Sequence, residues 1–320
     1  MSLSAQKFSV YRSLAGIPAG LGPTVAAIGN FDGVHCGHRQ ILAAVVAEAR
    51  EKNARAIAIT FNPHPEQFLF PEKAPKLLMP LGERLRLLAT TGIDAVLVLP
   101  FDAELAAMPA RTFVEDILIG RLGVCALHEG ANFYFGRRAE AGVAELKNWG
   151  EELGFIVHVH EAVKVRGLEV SSTAIRERVV AGDLRRARWM LGRPFAVLST
   201  QARGRGVGHR LLVPTINLAD YNGLLPSFGV YVTCLRIGER QFQAVTNVGD
   251  RPTFAGAGFS VESYILDFEP VEMNETTPVE VEFLYRLRGE VTWPSPEALK
   301  AQIMKDVAQA KRFFRLVAKL

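Results

Sequence analysis

Apolar runs and amphipathic stretches alternate through the first half of the chain. Thr24 to Ile28 reads as a buried strand, and after a short loop Gly37 to Lys52 has helical periodicity. Ala56 to Phe61 is the next strand, ending in Asn62-Pro63-His64-Pro65. Leu81 to Thr91 is an amphipathic helix, Ala95 to Leu99 and Val124 to Leu127 are strands, Ala144 to Leu153 a helix and Phe155 to His160 a strand. Helices over about Thr173 to Ala181 and Leu184 to Leu191 close this half. Short apolar strands alternating with helices predict a parallel sheet covered on both faces, an α/β domain.

The period changes near Gly192-Arg193-Pro194. Gly229 to Leu235, Gln241 to Val248, Phe259 to Phe268 and Val279 to Leu287 alternate with period two, separated by turns of Gly, Pro and Asn. They predict a mostly β domain, an antiparallel barrel or sandwich. A final helix starts with Ser295 as N-cap and Pro296 at its first position. Leu299, Ile303, Val307, Phe314 and Val317 make its apolar stripe. The expected domains are therefore 1–190 and 191–320.

Composition narrows the class. The chain has 320 residues, 49% hydrophobic and 22% charged, which excludes disordered and fibrous classes. No apolar run approaches the ~18 residues of a membrane span, and residues 1–22 hold no apolar signal core. Cys36, Cys125 and Cys234 are too few and scattered for a disulfide framework or a zinc site, so the expected location is the cytoplasm. Thirty-seven basic residues against thirty-three acidic ones give a net charge of +4, spread along the chain. That is no nucleic-acid footprint and suits phosphorylated small molecules better.

The first chemical signal follows the Thr24 to Ile28 strand: Gly29-Asn30-Phe31-Asp32-Gly33-Val34-His35-Cys36-Gly37-His38. His35 and His38 are three apart across a helix start, so both face one spot. Backbone N–H groups at a helix start favour anions, and the glycines let a ligand approach the backbone. Two imidazoles over an anion hole suit charge building on phosphate oxygens, which is nucleotidyl-transfer chemistry. Hydride transfer is not indicated, because Gly-x-Gly-x-x-Gly does not follow the strand.

This stretch resembles the His-x-Gly-His nucleotidyltransferases of Rossmann-like fold. Its longer string resembles the bifunctional prokaryotic riboflavin kinase/FMN adenylyltransferase family, also called FAD synthetases. Thr60-Phe61-Asn62-Pro63-His64-Pro65, Gly130-Ala131-Asn132-Phe133-Tyr134-Phe135-Gly136 and Ser171-Ser172-Thr173-Ala174-Ile175-Arg176 are similar to three further motifs of that family, in order. The resemblance implies that FMN attacks the α-phosphate of ATP and pyrophosphate leaves, with Mg²⁺ assisting. His35, His38 and Arg176 are the candidate catalytic residues. Gly29, Asn30, Phe31, Asp32, Gly37, Ser171, Ser172 and Thr173 are candidates for binding ATP. Ser171 to Thr173 offer hydroxyls and N–H groups at a helix start, and Arg176 reaches the same anion as a planar fork. Asn62 and Asn132 are the candidate flavin contacts; Phe133 and Phe135 either stack on a ring or fill core.

The β-rich half has no P-loop. It has Gly204-Arg205-Gly206-Val207-Gly208, whose Gly204, Gly206 and Gly208 make a flexible cover for phosphates, and then Pro214-Thr215-Ile216-Asn217. Thr215 and Asn217 face the same way on a strand and offer neutral oxygens suited to Mg²⁺. Asn247 opens a turn-rich loop, Asn247 to Phe254. Glu262 shares a face with Tyr264, Leu266 and Phe268, and a carboxylate on an apolar face needs a partner or a task. In order, these strings resemble a riboflavin kinase module. The resemblance implies that Glu262 takes the proton of riboflavin's primary alcohol and that Asn247 lies against ATP. The half departs from the family pattern at Leu212 and Val213, where Gly-Phe is usual, and at Tyr264, where His is common. An adenylyltransferase with a degenerate kinase module, or a flavin- or nucleotide-binding protein without turnover, are the alternatives. The expected partners are riboflavin, FMN, FAD and ATP, with no nucleic acid and no membrane; the sequence leaves the oligomeric state open. His158 and His160 alternate on one strand face with no third metal ligand near them in sequence, so they read as solvent-facing.

Overall fold

The computed structural model describes residues 8–202, 215–219, 221–253, 256–268, 271, 273–274 and 276–318. Contacts divide the chain into two units, Met1–Pro75 with Pro80–Ser171, and Lys76–Met79 with Ser172–Leu320.

The first unit runs β1 (Ser9–Tyr11), β2 (Thr24–Ile28), α1 (Cys36–Glu51), β3 (Arg55–Asn62), α2 (Pro65–Leu69), α3 (Leu81–Ala89), β4 (Ala95–Pro100), α4 (Ala103–Ala107) and α5 (Ala110–Thr112). α5 leads into a π-helical stretch, Phe113–Arg121. Then come β5 (Val124–Gly130), β6 (Tyr134–Phe135), β7 (Ala141–Gly142), α6 (Val143–Leu153), β8 (Ile156–His160), β9 (Lys164–Val165) and β10 (Leu168–Glu169). The main sheet has the order β1-β4-β3-β2-β5-β8, and every pairing in it is parallel. All five residues of β2 are buried, as are Ala56 to Thr60 of β3 and Ala95 to Leu99 of β4. Continuous apolar runs of this kind are what a strand covered on both faces requires.

The order of strands decides where a ligand goes. From β2 the chain steps outward through β3 and β4, then returns to place β5 on the other side of β2. The loop leaving the carboxyl end of β2 therefore sits at the point where the direction of winding reverses. Helices on either side of such a point diverge and leave a crevice. Residues 29–35 occupy that loop.

The second unit begins with α7 (Ser172–Val180) and α8 (Leu184–Leu191), followed by β11 (Phe195–Thr200), β12 (Thr215–Asn217), β13 (Gly229–Ile237), β14 (Arg240–Thr253), β15 (Gly256–Ile265), β16 (Pro278–Arg288) and α9 (Pro296–Val317). The six strands form one antiparallel sheet in the order β11-β16-β13-β14-β15-β12. Its outer strands meet at a Gln201–Leu218 bridge, where the Ala202 N–H donates to the Asn217 carbonyl at 2.8 Å and the Ala219 N–H to the Thr200 carbonyl at 2.9 Å. The sheet thus curls until its edges pair. Inside, Thr233, Thr246 and Ser263 form a buried hydroxyl ladder at 2.7 and 2.8 Å, so each polar group has a partner. The other face of β13, β14 and β15 is covered by α9, with Val230, Val232, Val245, Leu266, Val307 and Ala310 as its buried cluster.

Ser295 caps α9 through its hydroxyl, which accepts from the Ala298 N–H at 3.2 Å, with Pro296 behind it, as expected. The stripe of α9 differs from the sequence reading. Ile303, Val307 and Phe314 pack in the cluster against the sheet, but Leu299 and Val317 are exposed. Asp306, beside Val307, is buried as well and is held by Arg288 at 2.8 Å and by Gln302 at 2.8 Å. α7 and α8 pack with the β-rich unit, where α8 lies against β11 and β16.

Candidate active sites

In the first unit, β2 ends and the chain turns through Phe31, Gly33 and Val34, each with positive φ. Phe31, Asp32, Val34 and His35 are buried. The Gly29 N–H stays in the sheet, donating to the Ile59 carbonyl at 3.0 Å. The chain then enters α1 with His35 as N-cap. The His35 Nδ1 accepts the His38 N–H at 3.2 Å. This bond does two things. It satisfies a helix-end donor that would otherwise be orphaned. It also occupies the lone pair of Nδ1, which leaves Nε2 as the nitrogen that carries the proton in a neutral ring.

His38 lies directly over it. The two rings stack with centroids 3.5 Å apart and planes 16° apart, and Phe31 meets His38 edge-on at 5.2 Å. Burial, then the neighbouring His35 and Arg84, push the His38 imidazole well below its ordinary range. His38 Nδ1 has no hydrogen-bond partner. Gly37 is needed for this stack: a Cβ there would meet His35 Cε1 and Nδ1, both at 3.2 Å.

The sequence reading missed the group beneath the loop. Arg84 of α3 is buried; its Nη1 donates to the Asn30 carbonyl at 2.5 Å and its Nη2 to the Phe61 carbonyl at 3.2 Å. Thr60 Oγ1 also donates to the Asn30 carbonyl, at 3.2 Å. Asp32 supplies the counter-charge, while desolvation pulls the guanidinium down from its usual range. One buried cation thereby ties the loop after β2 to the end of β3. A signal was present: Arg84 shares the helical face of Leu81 and Leu88. Glu129 of β5 was missed as well. It is buried, and its Oε1 accepts the Ile28 N–H at 2.7 Å, taking over where the β2–β5 ladder stops. Burial raises its carboxyl well above the ordinary range.

Asn62 and Asn132 are exposed, at the end of β3 and just after β5. The Asn62–Pro63 peptide is cis. Phe133 and Phe135 stack at 5.4 Å and pack against the core beside Phe113 and Trp149, so they fill core. Ser171 ends the first unit; Ser172, Thr173 and Arg176 belong to α7 of the second. There the Arg176 Nε donates to the Lys76 carbonyl at 3.0 Å.

In the second unit three candidates fall into one row. Asn217 of β12 pairs directly with Glu262 of β15, and Glu262 pairs on its other side with Asn247 of β14. Directly paired residues present their side chains on the same face. Thr215 pairs with Tyr264, two residues along the same strands. Tyr264 packs against the α9 cluster, which accounts for an aromatic residue there. Glu290 reaches the same neighbourhood: a Cβ on Gly249 would meet Glu290 Oε1 at 2.7 Å and Asn247 Nδ2 at 3.2 Å. Gly204, Gly206, Gly208, Leu212 and Val213 lie outside the described residues.

Comparison with known proteins agrees with both halves. Residues 18–174 match the FAD synthetase family and residues 191–314 the riboflavin kinase family. The bifunctional riboflavin kinase/FMN adenylyltransferase of Escherichia coli K12 is 36% identical over 294 residues, covering 91% of this chain and 93% of its own. This chain belongs to that family. The enzyme of the same name from Pseudomonas fluorescens is 37% identical over 288 residues, covering 90% of this chain and 92% of its own. A solved structure from Streptococcus pneumoniae, described as a macrolide-efflux protein, superposes with a TM-score of 0.85 at 25% identity, over 95% of this chain and 98% of its own. Among the described residues here, no helix is long and apolar enough to cross a membrane. Both family matches lie in this one chain, residues 18–174 ahead of residues 191–314.

Proposed function

We infer that this chain makes FAD from riboflavin in two ATP-dependent steps. The β-rich unit phosphorylates riboflavin to FMN, and the α/β unit joins FMN to the adenylyl group of ATP. The observation that carries the second step is the stacked His35–His38 pair on the capped start of α1, at the reversal point of the sheet.

The adenylyl transfer breaks the bond between the α- and β-phosphates of ATP while an FMN phosphate oxygen bonds to the α-phosphorus. FMN brings its own nucleophile, because a phosphomonoester has its second pKa near ~6. The site's work is to position two anions and hold the charge that builds on the α-phosphate. We assign His35 and His38 to that oxygen as neutral N–H donors. The loop Gly29 to Asp32 and Gly37 hold ATP beside them, and Asn62 and Asn132 contact the flavin. Arg84 positions the loop from below. Ser171, Ser172, Thr173 and Arg176 are assigned to the departing pyrophosphate.

In the kinase step the primary alcohol of riboflavin attacks the γ-phosphate and loses its proton, and ADP leaves. We assign that proton to Glu262. Neutral oxygens of Thr215 and Asn217, beside the Glu262 carboxylate in register, fit a hard divalent cation such as Mg²⁺. Bound with ATP, Mg²⁺ would neutralise charge on the transferred phosphate. Asn247, Gly204, Gly206 and Gly208 are assigned to ATP. Residues 1–190 and 191–320 are our assignment for the two activities. A cytoplasmic location is favoured by three cysteines that form no disulfide.

The test supplies purified protein with ATP, Mg²⁺ and either riboflavin or FMN, and separates products by chromatography. FAD and pyrophosphate from FMN, and FMN from riboflavin, are expected. His38→Ala should cut FAD formation ~100-fold or more while FMN formation is unchanged. Absence of FAD from the wild-type reaction would remove the proposal.

A further inference from the structure

A second imidazole cluster lies away from the loop after β2. Glu48 of α1, His128 of β5 and His158 of β8 come together, with one ligand atom from each within 4.8 Å of the others. His128 Nε2 is 2.6 Å from Glu48 Oε2, and His158 Nε2 is 3.1 Å from the same oxygen. On the far side of the His128 ring, Nδ1 is 2.9 Å from His160 Nε2. His158 and His160 are therefore not simply solvent-facing strand residues. Parallel pairing sets His158 beside His128, and α1 brings the third group from a distant part of the sequence. The adenylyl-transfer chemistry uses none of the four.

We propose that Glu48, His128 and His158 bind a divalent transition metal of the zinc class, with His160 orienting His128. The donor set selects the metal. Two imidazole nitrogens and one carboxylate oxygen suit Zn²⁺ and its neighbours; Mg²⁺ and Ca²⁺ take all-oxygen shells. Glu48 is close to both imidazoles, whose rings stack with centroids 4.6 Å apart and must turn toward a shared ion. Tetrahedral bonds of ~2.0–2.1 Å put ligand atoms ~3.3 Å apart, so Glu48 Oε2, now 2.6 Å from His128 Nε2 and 3.1 Å from His158 Nε2, must withdraw mainly from His128. The His160 contact fits the same arrangement: with Nε2 on the metal, His128 donates its Nδ1 proton to His160, the usual outer support of a metal-bound imidazole.

Burial and competition also fit. His128 and Glu48 side chains are 5% and 14% exposed, and although the His158 ring is 43% exposed its Nε2 is buried, so the three ligand atoms face one another away from bulk water. The other charge facing the cluster is Lys52, 3.6 Å from Glu48 Oε1, which leaves Oε2 to the metal. Such a site would join α1 to β5 and β8, well along the helix from His35 and His38, and so act as a clamp on the unit.

The experiment uses the full chain, freed of metal and then exposed to Zn²⁺ alone, or to Co²⁺ alone as a visible-spectrum probe. About one Zn²⁺ per chain should remain after dialysis, and Co²⁺ should give the intense bands of a low-coordinate nitrogen-ligated ion. His158 is exposed enough to be changed without disturbing the core. His158→Ala should abolish both signals and the rise in melting temperature with Zn²⁺, while FAD synthesis is unchanged. Glu48→Gln should also abolish binding, and His160→Ala should weaken it ~10- to 100-fold. A wild type that retains no Zn²⁺, or a His158→Ala variant that retains it with the same affinity, would overturn the proposal.

Discussion

Gly37 offers the most direct perturbation of the histidine pair. A methyl group there would sit 3.2 Å from both Cε1 and Nδ1 of His35, closer than ordinary contact, so the ring must move by a few tenths of an ångström. The displaced Nδ1 is the atom that accepts the His38 N–H, so the helix cap weakens and the tautomer it imposes is released. Stability should barely change. Gly→Ala in a helix contributes up to ~1 kcal/mol, and loss of an N-cap costs ~1 kcal/mol, so the two roughly cancel. Activity should not cancel. A misplacement of ~1 Å costs ~100-fold, so a few tenths combined with loss of the fixed N–H direction should lower FAD formation ~10- to 100-fold. The assay follows FAD from FMN and ATP by chromatography, with FMN formation from riboflavin in the same preparation as internal control. A Gly37→Ala variant with wild-type melting temperature and FAD synthesis within about twofold of wild type would refute the role given to the stacked rings.

Two further predictions address other groups. Glu262→Gln keeps the shape of the side chain and removes the base, so FMN formation should fall ~100- to 10,000-fold with FAD formation from FMN unchanged; loss of both activities would point to folding instead. Glu129→Gln should stabilise the protein in a pH-dependent way. Because the folded carboxyl is raised above its unfolded value of 4.5, wild-type stability is whole below about pH 4.5 and falls as pH climbs toward the folded value, by up to ~1.4 kcal/mol per unit. The variant's advantage in urea unfolding should therefore open near pH 4.5 and widen toward neutrality, and a pH-independent difference would count against a protonated Glu129.

Much of this molecule was legible because its signals are local. β2 and α8 have the bounds the apolar pattern predicts, and His35 and His38 are recognisable because one helix start holds both. Asn217, Glu262 and Asn247 were each suspected singly, but their alignment in one row depends on strand register, which the sequence does not state. Arg84 acts through carbonyls 54 and 23 residues away. The partners of the zinc-class cluster are likewise distant, with Glu48 80 residues from His128. A strand read alone showed two histidines; the parallel neighbour supplied the third and the helix the carboxylate. The short α4, α5 and π-helical stretch also escaped, since few residues there repeat with any single period.

The two chemistries assigned to this chain explain why its two sites look so different. Adenylyl transfer begins from an anionic phosphate, so a base would add nothing, and neither imidazole is prepared as one. His35 has its inner nitrogen occupied as a cap, and burial, then the neighbouring His35 and Arg84, hold the His38 imidazole well below its ordinary range. Neutral N–H donors fixed in place favour the oxygen that gains charge in the transition state. A pair of imidazolium ions would hold ground-state ATP nearly as tightly, and so contribute less to the rate. The fixed cation is placed under the loop instead, bound to two carbonyls, where it organises the donors without competing for substrate. Phosphorylation of riboflavin begins from an alcohol, whose proton has to go somewhere as the bond forms. The β-rich unit accordingly presents a carboxylate between two asparagines on a rigid, hydrogen-bonded row. On the roles proposed for these residues, FMN is made where a base is held in register and consumed where charge is met by N–H donors.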